Sequence, residues 1–178
     1  MADIQDLAGV ACGTVIPPGI KTKISVVALN NVVSIPDAVG GSTLGDALRI
    51  TDDIVLAANK FWASLYVISE TGELKVTQVG TNTRSFTATG EFMIVGGGPA
   101  SDQWVQEQAN RCFLALFTEK TGAKRLLGGI GTPVKQTASE FTTGKGSDTE
   151  KVWNITWTDI TGYVPYYYEG AVDEDPLT

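Results

Sequence analysis

The last third of the chain, Phe113 to Gly170, reads as a run of short strands, one of which alternates apolar and polar positions with a period of two. In Val152–Thr158 (VWNITWT), Trp153, Ile155 and Trp157 fall on one face and Asn154 and Thr156 on the other. Strand-like runs (FLALFTEKTGAKRLLGG, FTTGKGSDTEKVWNITW and GYVPYYYEG) are joined by turns rich in Gly, Thr and Lys. Upstream, strands are predicted at Ile24–Leu29, Phe61–Glu70 and Glu73–Val79, the last two forming a hairpin about Thr71-Gly72. Further strands are expected at Thr83–Thr89 and Glu91–Val95, separated by Gly90, and at Cys112–Thr118, Ala123–Leu127 and Tyr163–Tyr168. Pro165 points to an edge position for the last of these.

One segment departs from this period. Ser101 is an N-cap type of residue followed by Asp102 in a first turn, and Trp104, Val105 and Ala109 fall on one side of a helix over about residues 101–111. The fold class expected is therefore mainly β: a β-sandwich or barrel with one flanking α-helix. A single domain fits 178 residues. It divides into an extended N-terminal arm (1–23, stiffened by Pro17-Pro18), a long projecting loop (30–60), a β-sandwich core (61–170) and an acidic tail (171–178). A short helix is expected within the loop, around Leu44–Ile50.

Composition narrows the chemistry. The chain has no histidine, which removes Ser-His-Asp and Cys-His catalysis and His-ligated metals. Gly144-Lys145-Gly146 fails the Walker pattern, and neither Gly96-Gly97-Gly98 nor Gly129 and Gly131 completes GxGxxG, so these read as turns. The acidic clusters Asp52-Asp53 and Asp173-Glu174-Asp175 lack the alternating ligands of a calcium loop and read as solvated acids, although a glycosidase pair could draw its two carboxylates from anywhere. No catalytic residue, cofactor or metal is expected. A net charge of −7 and a pI of about 4.5 argue against a nucleic-acid binder. They suit a surface past which DNA moves without adhering.

Charged residues make up 19% of the chain, against about a quarter in ordinary domains, which leaves room for surface covered by partner subunits. Cys112 in RCFLALF reads as a buried small hydrophobe; no secretory signal and no apolar run of about 18 residues is present, so no membrane anchor is expected. Three consecutive tyrosines, Tyr166, Tyr167 and Tyr168, must point to both faces of a strand, and with Pro17 and Pro18 they are the candidate subunit-interface residues.

The order strands, helix, strands, with the turn TGAKRLLGG, the loop FTTGKGSDTEKVWNITW and the final PYYYEG, resembles the tail-tube proteins of tailed bacteriophages. It is also similar to the inner-tube proteins of contractile injection machines. The resemblance covers about residues 61–170 and is one of pattern. It implies a virion structural protein whose subunits form rings, commonly hexamers, that stack into a hollow tail tube. Neighbouring sheets would join into an inner barrel, and the arm and the long loop would bridge rings. The lumen would be acidic, so that DNA passes without specific binding. The partners implied are the protein itself and other virion tail proteins, and the location is the virion tail after assembly in the host bacterial cytoplasm. The arm is longer and more irregular than the family pattern. Other readings are a connector, tail-terminator or capsid-associated protein, and a carbohydrate-binding β-sandwich using Trp62, Trp153 or Trp157 as a sugar platform.

Overall fold

The computed structural model describes residues 18–40, 44–80, 85–144, 151–161 and 163–174. Twelve strands and one α-helix are present among them: β1 Ile20–Ala28, β2 Val32–Ser34, β3 Arg49–Ile50, β4 Val55–Leu56, β5 Ala63–Tyr66, β6 Glu73–Val79, β7 Ser85–Val95, α1 Pro99–Gln108, β8 Phe113–Glu119, β9 Lys124–Leu127, β10 Lys135–Thr142, β11 Val152–Thr161 and β12 Tyr166–Tyr168. A six-stranded sheet runs β3-β12-β9-β8-β1-β5 and a four-stranded sheet runs β10-β11-β7-β6. A small β2-β4 ribbon stands apart, and the sheets form a sandwich rather than a closed barrel.

The six-stranded sheet is buried on both faces. In β8, Phe113, Ala115 and Phe117 join the core between the two sheets, while Leu114 and Leu116 join a second core on the opposite face. All five are at most 1% exposed. A continuous apolar run is the pattern that burial on both faces demands. The inter-sheet core centres on Trp157, whose ring meets Phe92 and Phe113 edge-on at 4.7 and 4.6 Å and Phe117 at 6.1 Å. The second core is roofed by the segment predicted to project. Ile50, Ile54 and Trp62 are buried there with Tyr168, and Val32, Ile35 and Leu56 pack against them. The described residues of this segment, 30–40 and 44–60, therefore lie largely back on the sheet, because β8 and β9 present an apolar face that would otherwise meet water. The expected short helix is a single 3-10 turn at Asp46–Leu48, followed by β3.

Other boundaries also differ from expectation. Thr71-Gly72 does not close a hairpin: β5 pairs with β1 and β6 with β7, so the chain changes sheets there. Gly90 does not interrupt the strand but lies inside β7, where an added Cβ would sit 2.4 Å from Phe117 Cζ. Glycine is required there for the close approach of a ring, not for a turn. The helix begins earlier, with Gly98 as N-cap; Ser101 sits at the third helical position and donates back to Gly98 O at 2.9 Å. Trp104 and Val105 pack into the inter-sheet core as expected, whereas Ala109 is exposed beyond the last turn. Cys112 is exposed, since it precedes β8 and only its carbonyl is engaged, by Leu29 N–H at 3.0 Å. Strand β12 is not an edge: it lies between β9 and β3, and Arg49 clamps Glu169 through two hydrogen bonds of 3.0 and 2.9 Å.

Filling the Gly90 site should be costly. Gly90→Ala is expected to lower unfolding stability by about 1–3 kcal/mol, the usual range for overpacking a closed core. Urea denaturation checks this; a loss below about 0.5 kcal/mol would show that the Phe117 ring moves aside freely.

Candidate functional site

None of the polar clusters singled out in the sequence forms a reactive arrangement among the described residues. Asp53 accepts a hydrogen bond from Ala171 N–H at 2.6 Å. Trp62 N–H donates to Asp173 O at 2.9 Å, and Glu174 pairs with Lys23 and lies 3.4 Å from Ser25 Oγ. These acids fasten the segment after β12 along β5 and β1. Asp175 lies outside the described residues, and no group of three or more Cys, Asp and Glu side chains among those described could hold a metal ion. At the start of α1, where backbone N–H groups favour an anion, Asp102 supplies the carboxylate and also accepts Trp153 Nε1–H at 2.8 Å. Gly129 and Thr132 close a tight turn on each other with bonds of 2.9 and 3.2 Å. Lys145 and Gly146 lie outside the described residues.

The aromatic candidates divide. Trp62 and Trp157 are buried in the two cores and offer no platform for a sugar; Trp153 is half-buried against Phe141. Tyr168 belongs to the second core: its hydroxyl donates to Ala171 O at 2.8 Å and accepts Ile54 N–H at 3.1 Å. It is thus a packing residue and is withdrawn from any interface. Tyr167 lies on the other face under the Arg125 guanidinium, 3.5 Å from its ring centre. Tyr166 is half-buried beside Tyr163, the member of this group with a large exposed surface. Pro18 is exposed, and Pro17 lies outside the described residues.

What remains open is backbone. The edges of the six-stranded sheet are blunted: β3 is two residues long, and β5 is flanked by the bridge between Trp62 and Glu174. The four-stranded sheet is different. Its edge strands β6 and β10 have seven and eight residues, are exposed along nearly their whole length, contain no proline, and are engaged by backbone bonds on one side only among the described residues. Such edges invite another strand. Strand β10 escaped the sequence reading because KQTASEFT has no apolar alternation. Its partner β11 supplies the apolar positions, and the register between them places Phe141 opposite Trp153.

The face of this sheet turned away from the core is mixed, with exposed apolar side chains at Val79, Met93, Val95 and Ile160 among polar ones. It carries Thr77, Thr87, Thr89, Thr156, Thr158 and Asn154, with carboxylates at Glu73, Glu91 and Glu140 and lysines at Lys75 and Lys135. No helix among the described residues is long and apolar enough to cross a membrane. No family model matches the chain, and no curated protein or solved structure matches it either.

One buried acid stands out. Asp159, 2% exposed on the inner face of β11, accepts Gly128 N–H at 2.8 Å, and its other oxygen has no partner among the described residues. Burial holds this carboxyl above the usual aspartate range, against the smaller opposite effect of the Gly128 bond. Its folded pKa is raised, so its contribution to stability is whole below the ordinary value and is lost as pH rises through the raised one. Asp159→Asn keeps an oxygen for Gly128 and removes the titration. The melting temperature of the wild type should therefore fall relative to the variant from about pH 4 upward. Parallel melting curves across that range would contradict the assignment.

Proposed function

We propose that the protein is a tail-tube subunit of a virion, assembling through its four-stranded sheet into rings that stack around a DNA-conducting lumen. The observation that carries this reading is the contrast between the two sheets: among the described residues one has blunted edges and the other two long open ones. A monomer commonly protects such edges with proline or a covering segment, and neither lies on β6 or β10 among the described residues; the charges they carry, Glu73 and Lys75 on one and Lys135 and Glu140 on the other, are of both signs.

The topology favours a ring. The four strands alternate in direction, so copies related by rotation about an axis along the strands bring β6 of one beside β10 of the next in antiparallel sense. That contact is heterologous, and it closes when the rotation divides a full turn. Six copies would supply about 24 strands, enough to leave an open channel rather than a filled barrel. The outward face of the sheet would then line the channel. Its hydroxyls and its excess of carboxylates over lysines offer no row of cations to grip phosphates.

Negative-stain electron microscopy with light scattering tests the proposal. Rings or tubes with a central hole are expected; a particle that stays near 18.9 kDa at every concentration and salt condition would overturn it. A pair of variants probes the edge itself. Adjacent residues of an edge strand point their N–H groups to opposite sides, so one of Val76→Pro and Thr77→Pro removes a donor from the open side and leaves the ladder to β7 whole. That variant should stay folded by circular dichroism and lose assembly.

A further inference from the structure

We infer that the contact between copies has one register, in which Lys75 of β6 lies opposite Glu140 of β10 of the next subunit. This rests on the ring reading above and adds to it the residues that select the pairing. Three observations on the two edges lead to the same alignment.

The first is the shape of the sheet. Across it, Glu73 is level with Glu91, Thr156 and Ala138. Strand β6 extends from this row towards Val79, whereas β10 extends the other way to Thr142, so the two edges are staggered by about four residues. Full overlap of β6 with a neighbouring β10 therefore needs a slip of four residues, which sets Glu73 against Thr142, Lys75 against Glu140 and Thr77 against Ala138. An odd slip is excluded because it would turn every side chain to the wrong face.

The second is charge. Neither Lys75 nor Glu140 belongs to an ion pair among the described residues, although both are exposed on the same face. Opposite charges directly across two strands attract, and like charges repel. Moving the register two residues one way puts Glu73 against Glu140. Moving it two the other way puts Thr77 against Glu140 and leaves Lys75 facing Thr142. The third is apolar surface on the opposite face. The same alignment lays Leu74 against Phe141, which is 36% exposed, with Val76, 39% exposed, diagonally next to it.

The slip also has the right size. Four residues of shear for every four strands makes total shear equal to strand number, whatever the number of copies. Eight-stranded barrels of shear eight have the same ratio and tilt their strands by about 36°, within the usual range for closed barrels.

The test is charge exchange combined with cross-linking, read as assembly of the full chain. Lys75→Glu and Glu140→Lys are each expected to weaken assembly roughly 2- to 10-fold per contact, and the double variant to return within about 2-fold of the wild type. In a chain carrying Cys12→Ser and Cys112→Ser, Thr77→Cys with Ala138→Cys should give a ladder of covalent multimers on mild oxidation. Wild-type rings whose single charge variants assemble normally, or whose cysteine pair gives no ladder, would overturn this register and leave the ring reading standing. A wild type that never assembles would overturn both.

Discussion

The molecule is organised around one strand that has protein on both sides, and its two cores are consequences of that. Five consecutive apolar residues of β8 divide alternately between the inter-sheet core and the core beneath residues 30–60. Each large side chain buried in this way contributes about 1.5–3 kcal/mol. One face could be met by the four-stranded sheet. The other needed a cover, and the chain supplies it from the segment that carries Ile50, Ile54 and Trp62. The clamp of Arg49 on Glu169 and the fastening of Glu174 to Lys23 hold the edges of that cover in place.

The mainly β class, the single helix and the strands β1, β6, β8, β9 and β11 were legible in the sequence because their residues alternate or sit between clear turns. The cover was not. A stretch containing Pro36, Gly40 and Gly45 carries no period, and its apolar residues reach the core singly, from irregular backbone and strands of two or three residues. Gly90 misled for a related reason. A glycine marks a turn or a close approach equally well, and only the ring of Phe117 across the core decides between them. Of the residues singled out for an interface, Tyr168 went into the core because its face of β12 continues that of Leu126. The open edges went unrecognised as a pair, because a strand that draws its apolar support from a neighbour has no pattern of its own.

The chemistry of the surface follows the same division. Several polar groups near the cores are tied to a neighbour, as in the bonds of Asp102 to Trp153 and of Asp53 to Ala171, while Trp157 Nε1 and one oxygen of Asp159 have no partner among the described residues. On the four-stranded sheet the outward side chains mix short hydroxyls with charged and apolar residues, and the backbone groups along β6 and β10 are left open on one side among the described residues. In the pairing proposed above, main-chain geometry would carry the contact and a few side chains would set its alignment.

The path of the chain between the sheets has a consequence in time. The chain leaves the four-stranded sheet after β7, builds β8 and β9 of the other sheet, and only then returns to add β10 and β11. Strand β6 and its hairpin partner emerge early in synthesis, and the strand that would meet them on a neighbour emerges late. Contacts so distant in sequence form slowly. A nascent chain therefore carries one sticky margin without its complement, and chains still on the ribosome lack the second half of any edge-to-edge contact until residue 142 has been made. Self-association along these edges, as proposed above, would thereby be postponed to finished subunits.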